Sequence, residues 1–241
     1  VAAALVAVVL RAARRHGAPL APDLPGIRAA GHAAVPLLIR TLTLRAALIV
    51  TTYAVVVGSA TGSAELAAHQ LAFTVWTFLA FVLDSIAIAA QALTGRYLGA
   101  GDAATTRAVT RRMLGWGVVS GLVTALGLGA LAPWLGRLFT TDAAVLDLLV
   151  PVLVVAALGQ PLAGLVFVLD GVLIGAGDGT YLAWAGLAVL AVYAPAVLVV
   201  AATLGSLTGI WATFCVVFMG ARAAVLLRRE RGEAWLVTGV R

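Results

Sequence analysis

A chain of 241 residues, 63% hydrophobic and only 11% charged, with a mean hydropathy of +1.09, carries more apolar surface than a water-soluble domain of this length can hide. Its aliphatic runs show no period-two alternation, which excludes an outer-membrane barrel. The net charge of +6 rests on sixteen arginines without a lysine, and the single cysteine, Cys215, allows neither an internal disulfide nor a thiolate metal cluster.

The chain opens on an apolar run over residues 1–10, half of what a helix needs to cross about 30 Å of hydrocarbon. Arginines follow this run, whereas a signal peptide places its positive charge first. The run therefore reads as the stump of a preceding transmembrane helix, and the chain as a fragment of a longer protein. Residues 11–32 hold Pro19, Pro22 and Pro25 and read as a cytoplasmic linker poor in helix. Six long apolar stretches follow within residues 33–228: 33–57, 66–93, 113–131, 145–174, 181–203 and 210–227. Each is long enough to span a bilayer, and Gln160-Pro161 in the fourth predicts a kink. Residues 229–241 form a basic cytoplasmic tail. The expected fold class is an all-α membrane protein, a six-helix transmembrane bundle preceded by the stump.

The arginines alternate along this plan. The linker, the loop after the second stretch and the tail carry Arg11, Arg14, Arg15, Arg28, Arg96, Arg107, Arg111, Arg112, Arg228, Arg229, Arg231 and Arg241. The remaining loops hold only Arg137. By the positive-inside rule both ends of the chain lie in the cytoplasm, and the basic balance calls for no nucleic acid.

Asp84 is the most informative single residue, because an acid well inside a span is expensive and a functional candidate by default. Gln70, Thr77 and Gln91 stand at seven-residue steps from it, and such steps drift only about 20° around a helix. The four form a polar stripe that must face protein or water. Two readings stay open: a direct role in transport, or an ion pair with Arg40 or Arg45 of the preceding span that fixes packing. Asp170 stands near the end of its span, is cheaper to hydrate, and suits a gate or a packing role as well as a substrate role. An internal echo links these acids. Phe81-Val82-Leu83-Asp84 recurs as Phe167-Val168-Leu169-Asp170, and Gly99-Ala100-Gly101-Asp102 as Gly175-Ala176-Gly177-Asp178. Gly117 with Gly121, and Gly171 with Gly175, permit close helix contact. His69 reads as a hydrogen-bonded structural group, and no cluster of Cys, His or carboxylate supports a metal.

Several segments resemble the multidrug and toxic compound extrusion (MATE) family, in particular its DNA-damage-inducible protein F branch. They are Leu38-Ile39-Arg40-Thr41, Ala67-Ala68-His69-Gln70, the run from Phe81 to Asp102, the run from Phe167 to Asp178, Gly209-Ile210-Trp211 with Met219 to Arg222, and the tail from Trp235 to Gly239. The resemblance implies a twelve-helix transporter of two lobes, with this chain as the second and the N-terminal six-helix lobe as its missing partner. It implies a multi-pass protein of the cell (inner) membrane that exports small amphipathic or cationic organic substrates by antiport, without enzymatic activity or a cofactor. It implies exchange for protons or sodium, and a stripe with one acid in a chain without asparagine leads us to expect H+ in preference to Na+. The transport-pathway candidates are Asp84, Gln70, Thr77, Gln91, Arg40, Arg45 and Asp170. Two alternatives stand beside this reading: a lipid-linked sugar flippase of the same superfamily, and an intramembrane aspartyl protease suggested by the two Gly-x-Gly-Asp copies.

Overall fold

The computed structural model describes residues 24–58 and 62–238, with positions 6, 8, 9, 11 and 15 before them. The stump expected over 1–10 thus lies largely outside the described residues, as do much of the linker and the last three residues of the tail. The described helices are α1 (Leu24–Gly58), α2 (Ser63–Gly99), α3 (Ala103–Leu135), α4 (Ala143–Gly175), α5 (Gly179–Leu204), α6 (Leu207–Thr213) and α7 (Met219–Arg231). A 3-10 turn, Gly136–Leu138, extends α3, and a π-helical segment, Phe214–Phe218, joins α6 to α7. Among the described residues there is no strand.

The chain divides into two compact units, Val1–Val35 and Pro36–Arg241. In the first, α1 already begins at Leu24, so residues 24–32 are helical where the prolines predicted a linker. Pro25 sits in the opening turn, where its missing N–H would have had no helical partner and its fixed φ suits the helix. The other helices and the site belong to the second unit.

Six helical segments are long and apolar enough to cross a bilayer: Ala34–Gly58, Ser63–Gly99, Ala103–Leu138, Ala143–Gly175, Gly179–Leu204 and Leu207–Arg231. At 1.5 Å per residue α2 measures about 55 Å, well beyond the hydrocarbon core, so it must tilt or project. The fourth span is the hub. Its most apolar stretch is 56% buried, as is that of the last span, against 22% in α2, and α4 is apolar on every side. It continues as helix through both Pro151 and Pro161.

Small residues let the backbones close in on this hub. A Cβ added at Gly117 would lie 2.6 Å from the Gly164 carbonyl oxygen, and one at Gly121 would lie 2.5 Å from that of Gln160. On the other flank Gly171 and Gly175 of α4 press on the backbone at Ala87 and Gln91 of α2. These are the glycine pairs singled out in the sequence, and packing of this kind substitutes for the hydrophobic drive that lipid removes.

The two Gly-Ala-Gly-Asp copies build the same turn. Gly101 and Gly177 adopt left-handed φ values of 80° and 73°. The N–H of Asp102 returns to Tyr97 O at 2.9 Å and that of Asp178 to Leu173 O at 3.0 Å, closing α2 and α4 alike. The side chains then diverge. Asp102 caps α3 by accepting from the Thr105 N–H at 2.9 Å, and the Thr105 side chain, with that N–H, holds its carboxyl below the usual carboxylate range. Asp178 instead accepts from Arg229 at 2.6 and 3.2 Å, with that guanidinium 4.7 Å above the Tyr181 ring.

Candidate functional site

A cavity of about 370 Å³ opens on one side of the bundle between α1, α2, α4 and the last span. Its wall is apolar and aromatic, with Phe73, Trp76, Phe81, Phe167 and Phe218, and polar groups are set into it from each helix. Arg40, Thr41 and Arg45 come from α1, Thr77, Asp84 and Gln91 from α2, Asp170 from α4 and Arg222 from α7. Six of the seven residues singled out in the sequence therefore share one cavity. Gln70 does not line it and is exposed. Gln70 stands about 21 Å along the helix from Asp84, beyond Phe73, where the α2 side of the wall begins.

The ion pairing differs from either expected arrangement. Arg40 reaches Asp170 rather than Asp84, its Nη2 donating to Oδ2 at 3.0 Å. Arg222 donates to that oxygen as well, from Nη2 at 2.6 Å and from Nε at 3.2 Å. Three N–H groups thus converge on one carboxylate oxygen, while Asp170 Oδ1 and Arg40 Nε are buried without a hydrogen-bond partner. Asp170 is only 7% exposed, against the expectation of easy hydration. Distance from the helix end does not decide this, because Arg40 and Arg222 cover it from two sides and α2 presses on the adjacent Gly171. Asp84 and Arg45 are exposed to the cavity, and among the described residues neither forms an ion pair or a hydrogen bond. The echoed acids have separated: one is locked, the other free.

Arg222 was not among the residues singled out as a site. The available signal was its isolation, since the apolar run 223–227 separates it from the basic tail. An arginine set that far inside a span calls for a counter-charge.

His69 lies outside the cavity wall and is buried. The Trp211 indole N–H donates to its Nδ1 at 3.2 Å, and an indole can only donate, so the ring proton sits on Nε2. Nε2 then donates to Thr52 Oγ1 at 3.0 Å, and Thr52 donates to the Leu48 carbonyl at 3.2 Å. Both ring nitrogens are occupied, which makes His69 a tie between α1, α2 and α6. A second tie runs from Tyr193 of α5 to Thr51 Oγ1 at 2.6 Å and on to the Ala47 carbonyl at 2.8 Å. Among the described residues no group of three or more His, Cys, Asp or Glu could hold a metal ion.

Four of the six spans thus line one lateral cavity, whose wall carries a free acid and a locked one. Residues 36–199 match the MatE family model. The chain is 35% identical over 164 residues to Protein DETOXIFICATION 42 of Arabidopsis thaliana, covering 68% of this chain and 32% of that protein. It is 30% identical over 201 residues to Protein DETOXIFICATION 45, chloroplastic, of the same plant, covering 82% and 35%. A solved structure of MATE in complex with MaD3S superimposes with a TM-score of 0.72 at 17% identity, over 86% of this chain and 46% of that one. The chain belongs to the MATE family, whose members are transporters and not enzymes. It spans about a third of the length of the curated relatives it matches.

Proposed function

We propose that this chain is the second six-helix lobe of a secondary active efflux antiporter of the DNA-damage-inducible protein F branch, exporting small amphipathic organic compounds across the cell (inner) membrane in exchange for protons. Both of its ends face the cytoplasm in this reading. The observation that carries it is Asp84: an acid within a span, free of any cation among the described residues, on the wall of a cavity that also presents aromatic rings. A carboxylate already committed to arginine cannot exchange its partner cheaply, whereas a free one can take up and release a proton or a ligand. Protons are favoured over sodium because a hard cation needs about six oxygen ligands, and the cavity offers one free carboxylate, two threonines and a glutamine in a chain without asparagine.

One observation favours the second reading, a lipid-linked sugar flippase. Arg222 joins Arg40 and Arg45 on the wall and gives the cavity a basic side suited to phosphate.

The test uses this lobe joined to the six-helix lobe that precedes it in the intact transporter. Wild-type protein in proteoliposomes should move an amphipathic dye under an imposed proton gradient. Asp84→Asn should insert normally and lose that flux. Flux driven by sodium alone would reject the proton preference, and full activity of the Asn variant would remove Asp84 from the mechanism.

A further inference from the structure

The charges on the cavity wall define a substrate class more narrowly than amphipathic, and this step rests on the cavity being the transport pathway. The wall holds three guanidiniums, Arg40, Arg45 and Arg222, against two carboxylates, Asp84 and Asp170. Arg40, Asp170 and Arg222 form a closed cluster that retains one positive charge, and Asp170 offers nothing to an incoming cation because two guanidiniums already hold it. What remains for a ligand is one exposed acid, Asp84 on α2, and one exposed base, Arg45 on α1, both free of partners and both on the same wall. A purely cationic compound would satisfy Asp84 while leaving Arg45 without a counter-charge and adding to the excess positive charge of the wall. A purely anionic one would leave Asp84 unmatched.

We propose that the substrate is an amphipathic zwitterion, an aromatic or aliphatic body bearing both an ammonium and a carboxylate. Asp84 takes the ammonium. Arg45 takes the carboxylate, as a planar donor fork matched to two oxygens, with the residual charge of the Arg40–Asp170–Arg222 cluster favouring that end. Phe73, Trp76 and Phe167 receive the apolar body.

Three matched fluorescent probes separate the possibilities. Nε-dansyl-lysine is zwitterionic, dansylcadaverine is the same molecule without its carboxylate, and 6-(dansylamino)hexanoate is the same molecule without its ammonium. Binding is read as dansyl emission with the 241-residue chain in phosphatidylcholine nanodiscs, against empty nanodiscs. Dansyl-lysine should bind about tenfold more tightly than either analogue, as one added charge-assisted contact provides. Arg45→Gln should reduce dansyl-lysine to the level of dansylcadaverine and leave dansylcadaverine unchanged. Asp84→Asn should reduce dansyl-lysine to the level of the hexanoate and leave the hexanoate unchanged. Neither side chain has a partner to lose, so both variants should fold as wild type does. Dansylcadaverine binding as tightly as dansyl-lysine, with sensitivity to Asp84 alone, would overturn the zwitterion proposal while leaving the cavity as the pathway. Binding of all three probes with no response to either variant, or no binding above empty nanodiscs, would overturn the proposal and the pathway reading together.

Discussion

Asp170 meets two arginines with one oxygen, and its replacement separates the contributions of the three partners. Asp170→Asn leaves Arg40 and Arg222 inside the bundle with no counter-charge, a loss of about 3–5 kcal/mol by the usual cost of breaking a buried pair. Arg222→Gln removes the shorter and more buried contact, and Arg40→Gln the longer one, which leaves a neutral Arg222–Asp170 pair intact. Thermal unfolding of the detergent-solubilised chain should therefore rank the losses Asp170→Asn, then Arg222→Gln, then Arg40→Gln. Equal losses from all three would contradict the reading of Asp170 as the centre of the cluster. The sequence shows each of these residues to be expensive where it stands, yet it does not show who answers whom. Asp84 and Arg40 look like natural partners by depth on neighbouring spans, and only the packing of α4 and α7 reveals that Asp170 has claimed Arg40 first.

At the scale of the helix, α4 owes its central position to what it lacks. Gly164 meets the backbone of α3 at Gly117 with no room for a side chain on either residue, and Gly171 and Gly175 do the same against α2. Gly164→Leu must push α3 outward along much of its length, because the opposing atoms are main chain and cannot rotate away. Strong loss of correctly assembled protein is expected, read as aggregation on size-exclusion chromatography, while Gly127→Leu should be tolerated, since nothing lies within 4 Å of a Cβ there. Tolerance of both would deny the close approach. This level was largely legible in the sequence: hydropathy places the six spans, and the paired glycines mark the tight faces. The start of α1 was not, because proline disfavours helix everywhere except in the first turn, and sequence alone does not say where that turn falls. The stripe on α2 was legible from Thr77 to Gln91 and failed at Gln70, which lies past the end of the cavity along the helix.

For the whole molecule, the proposed orientation is a statement about which loops meet the outside. Single cysteines in a cysteine-free background should react with an impermeant thiol reagent at Ser63 and Thr141 in intact cells, and a cysteine at Ala104 should react only after the membrane is opened. All three positions are exposed, so a silent site would report sidedness rather than burial. Labelling of Ala104→Cys from outside would invert the topology and place both ends of the chain outside. The arginine pattern made this expectation possible, because charge between spans is visible in one dimension. The cavity was visible only in part, since its wall draws on four separate spans and one of its arginines, Arg222, belongs to a helix whose regular winding is interrupted.

That interruption has a consequence for how related chains compare. Trp211 and Arg222 stand eleven positions apart, and in an unbroken α-helix they would return to within about 20° of one another. The π segment Phe214–Phe218 accommodates one surplus residue between them, so Arg222 emerges roughly 80° round from Trp211. One span thereby grips two neighbours, α2 through His69 and α4 through Asp170. A homologue without the surplus residue would align with a one-position gap between this tryptophan and this arginine, and its unbroken helix would present the two at that same angle of roughly 80°. The spacing of those two landmarks is thus a one-dimensional marker for the π segment: ten positions for regular winding, eleven for a bulge that keeps both grips in place.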